Sequence, residues 1–170
     1  MALVSLRDVS EGPNQIPRLD APVIRDSSGT RVGEFVRGPL QLPIVGGRVE
    51  QCRLDNAFGL AFDVADRWWN LRLEGPFALS SADLQFEFSD DAPPSHWGIA
   101  VDATLHATVV DADVSSDGVL TLLFSNSVRL EARPSERWEA WQLSGPDDEL
   151  VVCGPEGQLS RWPRLEESPT

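Results

Sequence analysis

Apolar and polar residues alternate strictly in Leu71-Arg-Leu-Glu74, in Val128-Arg-Leu-Glu131 and in Leu84-Gln-Phe-Glu-Phe88. A period of two puts one kind of side chain on each face of an extended chain, so these segments read as half-buried strands. From about Arg31 onward, short runs rich in Val, Leu, Phe and Trp are broken at short intervals by Gly, Asp, Asn or Pro. No stretch long enough for a helix repeats its apolar positions with helical period. Asp117-Gly118, Asn126-Ser127, Gly145-Pro-Asp-Asp148 and Gly154-Pro-Glu-Gly157 supply turns. The expected fold is all-β and mainly antiparallel, a sandwich or partly open barrel.

Two segments look duplicated. Val45, Val49, Leu54 and Asp55 match Val101, Leu105, Val110 and Asp111 at one constant offset. Gly59 then corresponds to Gly118, and Leu71-Arg-Leu-Glu74 to Val128-Arg-Leu-Glu131, with the offset changing at expected turns, where insertions are tolerated. Each copy is expected to be a three-stranded β-meander. A lone meander cannot cover its own apolar face, so the two should pack on each other or share a sheet. The organisation expected is an extended N-terminal arm (1–30), a first unit (31–88), a Pro-rich linker (89–97), a second unit (98–163) and an acidic tail (164–170).

After the Val128–Glu131 strand the second unit continues with Arg137-Trp-Glu-Ala-Trp141, Glu149-Leu-Val-Val-Cys153, Gly154-Pro-Glu-Gly157 and a closing Trp162. That order, preceded by Phe124, resembles an uncharacterised family of small bacterial proteins. The family is a domain of unknown function, frequent in high-GC genomes and sometimes found near toxin-type genes. The likeness covers about residues 98–163, with the first copy matching it more weakly. It implies a compact β-fold without an established activity, and it carries over no catalytic residue.

The formal charge is −13, from 14 basic residues, all arginine, against 27 acidic ones. Residues 1–80 are nearly neutral, so almost all the negative charge sits in the second half. Such a field repels nucleic acid and anionic lipid and steers basic partners inward. No apolar run reaches the roughly 18 residues of a membrane span, and Met1–Asp8 has no signal-like pattern. A cytoplasmic location is the expectation.

Sites for chemistry are scarce. Cys52 and Cys153 lie in apolar runs with neither CxxC spacing nor a nearby His, which suits small buried hydrophobes. Asp111-Ala-Asp-Val-Ser-Ser-Asp-Gly118 has carboxylates ahead of a Gly, but the sixth and twelfth positions of a calcium loop fall on Ser116 and Leu122. His96 and His106 have no partner at ligand spacing. Glu74, Glu131 and Glu139 are candidates for a carboxylate pair only in being acidic and near aromatics, since separation in space is invisible in a sequence. There is no nucleophile motif or phosphate loop, and neither enzyme activity nor a metal or cofactor is expected.

Tryptophan is the one rich feature. Trp68 and Trp69 are adjacent and Trp138 and Trp141 three apart, so in strands each pair should split between two faces. The sequence therefore points to a non-enzymatic, acidic protein-binding module, in its sharpest form an immunity or inhibitor protein that neutralises a basic toxin or nuclease by charge mimicry. The expected contacts are Asp111, Asp113, Asp117, Asp147, Asp148 and Glu149, with Trp69 and Trp138 as anchors. The competing expectations are a small-ligand or carbohydrate-binding β-domain and a structural or assembly subunit.

Overall fold

The computed structural model describes residues 3–5, 23–25, 27–29 and 31–162. Most of the expected arm and the whole 164–170 tail lie outside the described residues. In chain order the elements are β1 (Leu3–Ser5), β2 (Val23–Arg25), β3 (Arg31–Val36), β4 (Leu40–Gln41), β5 (Arg48–Leu54), β6 (Phe58–Val64), β7 (Arg67–Leu73), β8 (Phe77–Ser80) and β9 (Gln85–Phe88). A helix, α1 (Pro94–Thr104), comes next, and then β10 (Val109–Val114), β11 (Leu120–Phe124), β12 (Arg129–Ala132), β13 (Trp141–Ser144), β14 (Leu150–Cys153) and β15 (Leu159–Trp162).

The strands form two antiparallel sheets, an open sandwich that does not close into a barrel. The first sheet runs β1-β2-β3-β15-β14-β13-β7-β6-β5 and the second β4-β10-β11-β12-β8-β9. Each expected meander is present, β5-β6-β7 in the first sheet and β10-β11-β12 in the second. At the end of each meander the chain crosses to the other sheet. After β7 it leaves to place β8 beside β12, with Leu79 opposite Leu130 and Phe77 opposite Ala132. After β12 it returns to place β13 beside β7, with Trp141 opposite Leu73 and Leu143 opposite Leu71. The two units are thus interlocked by exchanged strands.

The alternation read from the sequence sets the inner faces. Leu71, Leu73, Val128 and Leu130 are buried, while Arg72 and Glu131 lie partly exposed and Arg129 more so. Between the sheets, Trp141, Phe58, Phe62, Phe88 and Phe124 are buried with a lining of leucines. Burying one such side chain contributes about 1.5–3 kcal/mol, so this layer holds the sandwich together.

The helix departs from expectation. The sequence pattern puts residues 94–104 in linker and strand, and His106 in an alternating strand. Pro94 instead occupies the first helical turn, where its missing N–H is no loss. The Thr104 hydroxyl donates to the Ala100 carbonyl at 2.7 Å. The chain leaves the helix through His106 at φ 65°, whose N–H donates to the Val49 carbonyl of β5. Val101 is therefore helical and Leu105 caps the helix, so neither is the counterpart of Val45 or Val49. Gly59 is a strand residue of β6, whereas Gly118 lies in the β10–β11 turn at φ +86°. The two segments each hold a three-stranded antiparallel meander, and the expected residue pairings fail at these positions.

Candidate functional site

At β7 the chain places two indoles back to back. Trp69 faces the interior and is 4% exposed; Trp68 faces outward and is 49% exposed. Trp69 is thus a core residue, correcting its expected role as a contact anchor, and Trp68 occupies the surface position. The cause is the register of β7, in which Trp69 lies in line with the inward Leu71 and Leu73. Trp69 packs so closely on Gly145 that a Cβ there would lie 2.3 Å from the indole.

Arg67, at the start of β7, reaches the β13–β14 turn. Its guanidinium donates to Asp147 at 2.8 Å and lies 3.7 Å from Glu149. Asp148 is exposed beside them. Across β6, Trp68 is in register with Asp63, and Asp63 with Arg48. One end of the first sheet therefore carries an exposed indole on its outer face and a carboxylate turn at its margin, with Arg67 linking strand to turn.

The other expected acids lie elsewhere. Asp111 and Asp113 belong to β10 in the second sheet, where Asp111 accepts from the Gln41 amide at 3.1 Å and Asp113 lies opposite Gln41. Asp117 is in the β10–β11 turn, seated against Gly157 of the β14–β15 turn, at the opposite end of β14 from Asp147. The Ser115 hydroxyl donates to the Asp117 carboxylate and holds its pKa below the usual value. Trp138 is 56% exposed in the connection from β12 to β13. The six acids are thus spread over three places. Asp147, Asp148 and Glu149 share one end of the first sheet with the exposed Trp68, whereas Asp117 lies at the opposite end, where the Glu156 N–H donates to the Ser135 carbonyl of the connection that carries Trp138.

Neither cysteine is disulfide-bonded. Cys153 is buried, its thiol 3.5 Å from the Gly118 carbonyl, and burial pushes its pKa up to about 11. Cys52 is half-buried beside the Thr104 hydroxyl at 3.6 Å, and burial raises its pKa as well. Glu131 lies on the outer face of the second sheet between Arg129 and Arg133, apart from Glu74, which comes just after β7 of the first.

No local pattern in the sequence signals a concavity of about 450 Å³ at one end of the sandwich. Its walls come from the β5–β6 turn, the β7–β8 connection, the end of β9 and α1. Phe77 is stacked between Phe58, at 5.1 Å, and Phe88, at 4.7 Å, and Trp97 of α1 lies 5.7–6.2 Å from all three rings. Asp55, Glu74 and Asp90 line the same cleft. Arg72 pairs with both Glu74 and Asp55 and holds them in place. These residues come from four separate segments, which is why periodicity and spacing could not group them.

A sequence model of a family of unknown function, DUF6188, matches residues 40–163, well over half of the chain. The protein belongs to DUF6188. The match begins far ahead of residue 98, so the DUF6188 unit takes in both meanders and the strands they exchange. No curated protein and no solved structure matches the chain. Among the described residues of this DUF6188 member, no helix is long and apolar enough to cross a membrane.

Proposed function

We propose that the protein is a non-enzymatic binding module that docks a basic protein through the Trp68 end of its first sheet. The observation that carries this reading is the placement of a half-exposed Trp68 at the same sheet end as Asp147, Asp148 and Glu149. An indole contributes large contact area at low entropic cost, and carboxylates around it select a cationic partner and speed encounter. Arg67 fixes the turn and offsets part of its charge, leaving Asp148 as the acid most open to a partner. The sharpest form of the reading is an immunity or inhibitor protein that covers the phosphate-binding surface of a basic toxin or nuclease.

The test is capture of partners from source-organism lysate on the full chain at low and moderate salt, compared with Trp68→Ala and with Asp147→Asn/Asp148→Asn/Glu149→Gln. A basic protein retained by the unaltered chain, weakened by salt and lost in both variants, is the expected result. Retention that survives both variants would rule this surface out.

A further inference from the structure

We propose that the cleft walled by Phe58, Phe77, Phe88 and Trp97 is a binding site for a small organic cation, a molecule with an alkylammonium or guanidinium head. The inference is independent of the protein-docking reading, which concerns the Trp68 end of the first sheet. Three features converge on it.

The first is size. About 450 Å³ falls in the range of small-molecule sites, roughly 300–1,000 Å³. The second is the wall. Phe58, Phe77 and Phe88 form a stacked, buried floor, and Trp97, tilted over all three and only half-buried, brings its indole to the cleft. Aromatic faces attract cations through the ring quadrupole, tryptophan most strongly. The third is charge. Asp55, Glu74 and Asp90 reach the cleft from three different segments, and Arg72, which pairs with Asp55 and Glu74, is not among its lining residues.

Arg72 has each of its three guanidinium nitrogens engaged. Its Nε donates to Glu74, one terminal nitrogen donates to Asp55 at 3.0 Å, and the other donates to the Asp55 carbonyl at 3.4 Å. It acts as a positioning residue, and the three carboxylates retain an excess of two negative charges over it. An anion is repelled from such a cleft. A neutral sugar gains nothing from the surplus charge, whereas a cation gains from charge and aromatic wall together, in a concavity that focuses the field.

The experiment is a 1H–15N titration of the full chain with choline and with methylguanidinium. The controls are 3,3-dimethyl-1-butanol, the uncharged counterpart of choline, and maltose. At least one cation is expected to shift the Trp97 indole N–H saturably, and both neutral probes to leave it in place. Asp90→Asn, at an exposed position that does not threaten folding, should weaken that binding roughly threefold, and Asp90→Asn with Glu74→Gln roughly tenfold or more. Trp97→Phe, which keeps an aromatic wall, should weaken it less than Trp97→Ala, and Trp68→Ala should not change it. Absence of a saturable shift with both cations, equal binding of choline and its neutral counterpart, or saturable binding of maltose would each overturn the proposal. Shifts confined to Trp68 and the 146–149 turn would also overturn it, while leaving the docking surface standing.

Discussion

Gly118 and Gly157 meet backbone against backbone. The first lies in the β10–β11 turn of the second sheet at φ +86°, the second in the β14–β15 turn of the first sheet at φ +80°. A Cβ on Gly157 would stand 2.1 Å from the Asp117 carbonyl oxygen, and one on Gly118 would stand 2.6 Å from the Gly157 Cα. At the same point the Gly118 carbonyl accepts from the Trp141 indole at 3.3 Å and from the Cys153 thiol at 3.5 Å. The two sheets are joined here by a contact that only glycine permits.

Gly157→Ala is therefore expected to cost about 2–4 kcal/mol, from left-handed backbone strain added to overpacking. Gly46, at φ +85° with open space around it, supplies the control. Gly46→Ala should cost about 1 kcal/mol, the strain alone. Urea unfolding of the two variants measures the difference, and equal losses would show that the contact between turns is unimportant.

The two adjacent tryptophans should separate stability from binding. Trp69→Ala is expected to lose about 3–5 kcal/mol, as for a large aromatic removed from a core. Trp68→Ala should stay within about 0.5 kcal/mol of the unaltered protein. Thermal and urea unfolding of both variants checks this, and a large loss for Trp68→Ala would mean that its indole is structural.

Ser115 and Asp117 predict a pH effect with a definite sign. The hydrogen bond from the Ser115 hydroxyl, the main cause, lowers the folded-state pKa of Asp117. A lowered carboxylate pKa stabilises the fold above the unfolded value of about 3.9, and that contribution disappears as pH falls through the folded-state value. Ser115→Ala should bring the Asp117 pKa up toward the ordinary range in an NMR titration. An unchanged pKa would assign the shift to the backbone or to Arg133 instead.

The thiols titrate the opposite way. With the Cys153 pKa raised to about 11 from an ordinary 9.0, the fold favours the neutral thiol. Its contribution to stability is complete below pH 9 and is lost between about 9 and 11, as the unfolded chain ionises first. At neutral pH a thiol reagent should modify Cys52 slowly and Cys153 only on unfolding. Rapid labelling of both thiols in the native protein would show that the β14 end opens readily.

The strands were legible because burial on one face repeats every second residue, as at Leu71, Leu73, Leu130 and Ala132. Helix α1 was not. Its fully buried positions are Ala100 and Thr104, one small and one polar, while Gly98 and Asp102 are exposed, so it carries no apolar stripe that a sequence could display. The Pro93-Pro94 pair that read as linker is its start. Local alternation also says which face of a strand is buried, never against which strand, and so the exchange of β8 and β13 between sheets lay beyond it. At the candidate surfaces the alternation split Trp68 from Trp69 without showing which faced inward, whereas Trp138 lies in the connection before β13 and not on the face of a strand. The cleft went unseen because Asp55, Glu74, Asp90 and Trp97 meet only once both sheets and the helix are in place.

The exchanged strands also impose an order of assembly during synthesis. When the chain as far as Phe88 has left the ribosome, β7 has β6 on one side and nothing on the other, because its second partner, Trp141–Ser144, has yet to be made. The pair β8-β9 likewise waits for Arg129–Ala132. Neither half can finish its sheet alone, so a gene cut between Asp91 and Pro94 should yield two fragments that stay unfolded apart and recover the sandwich when expressed together.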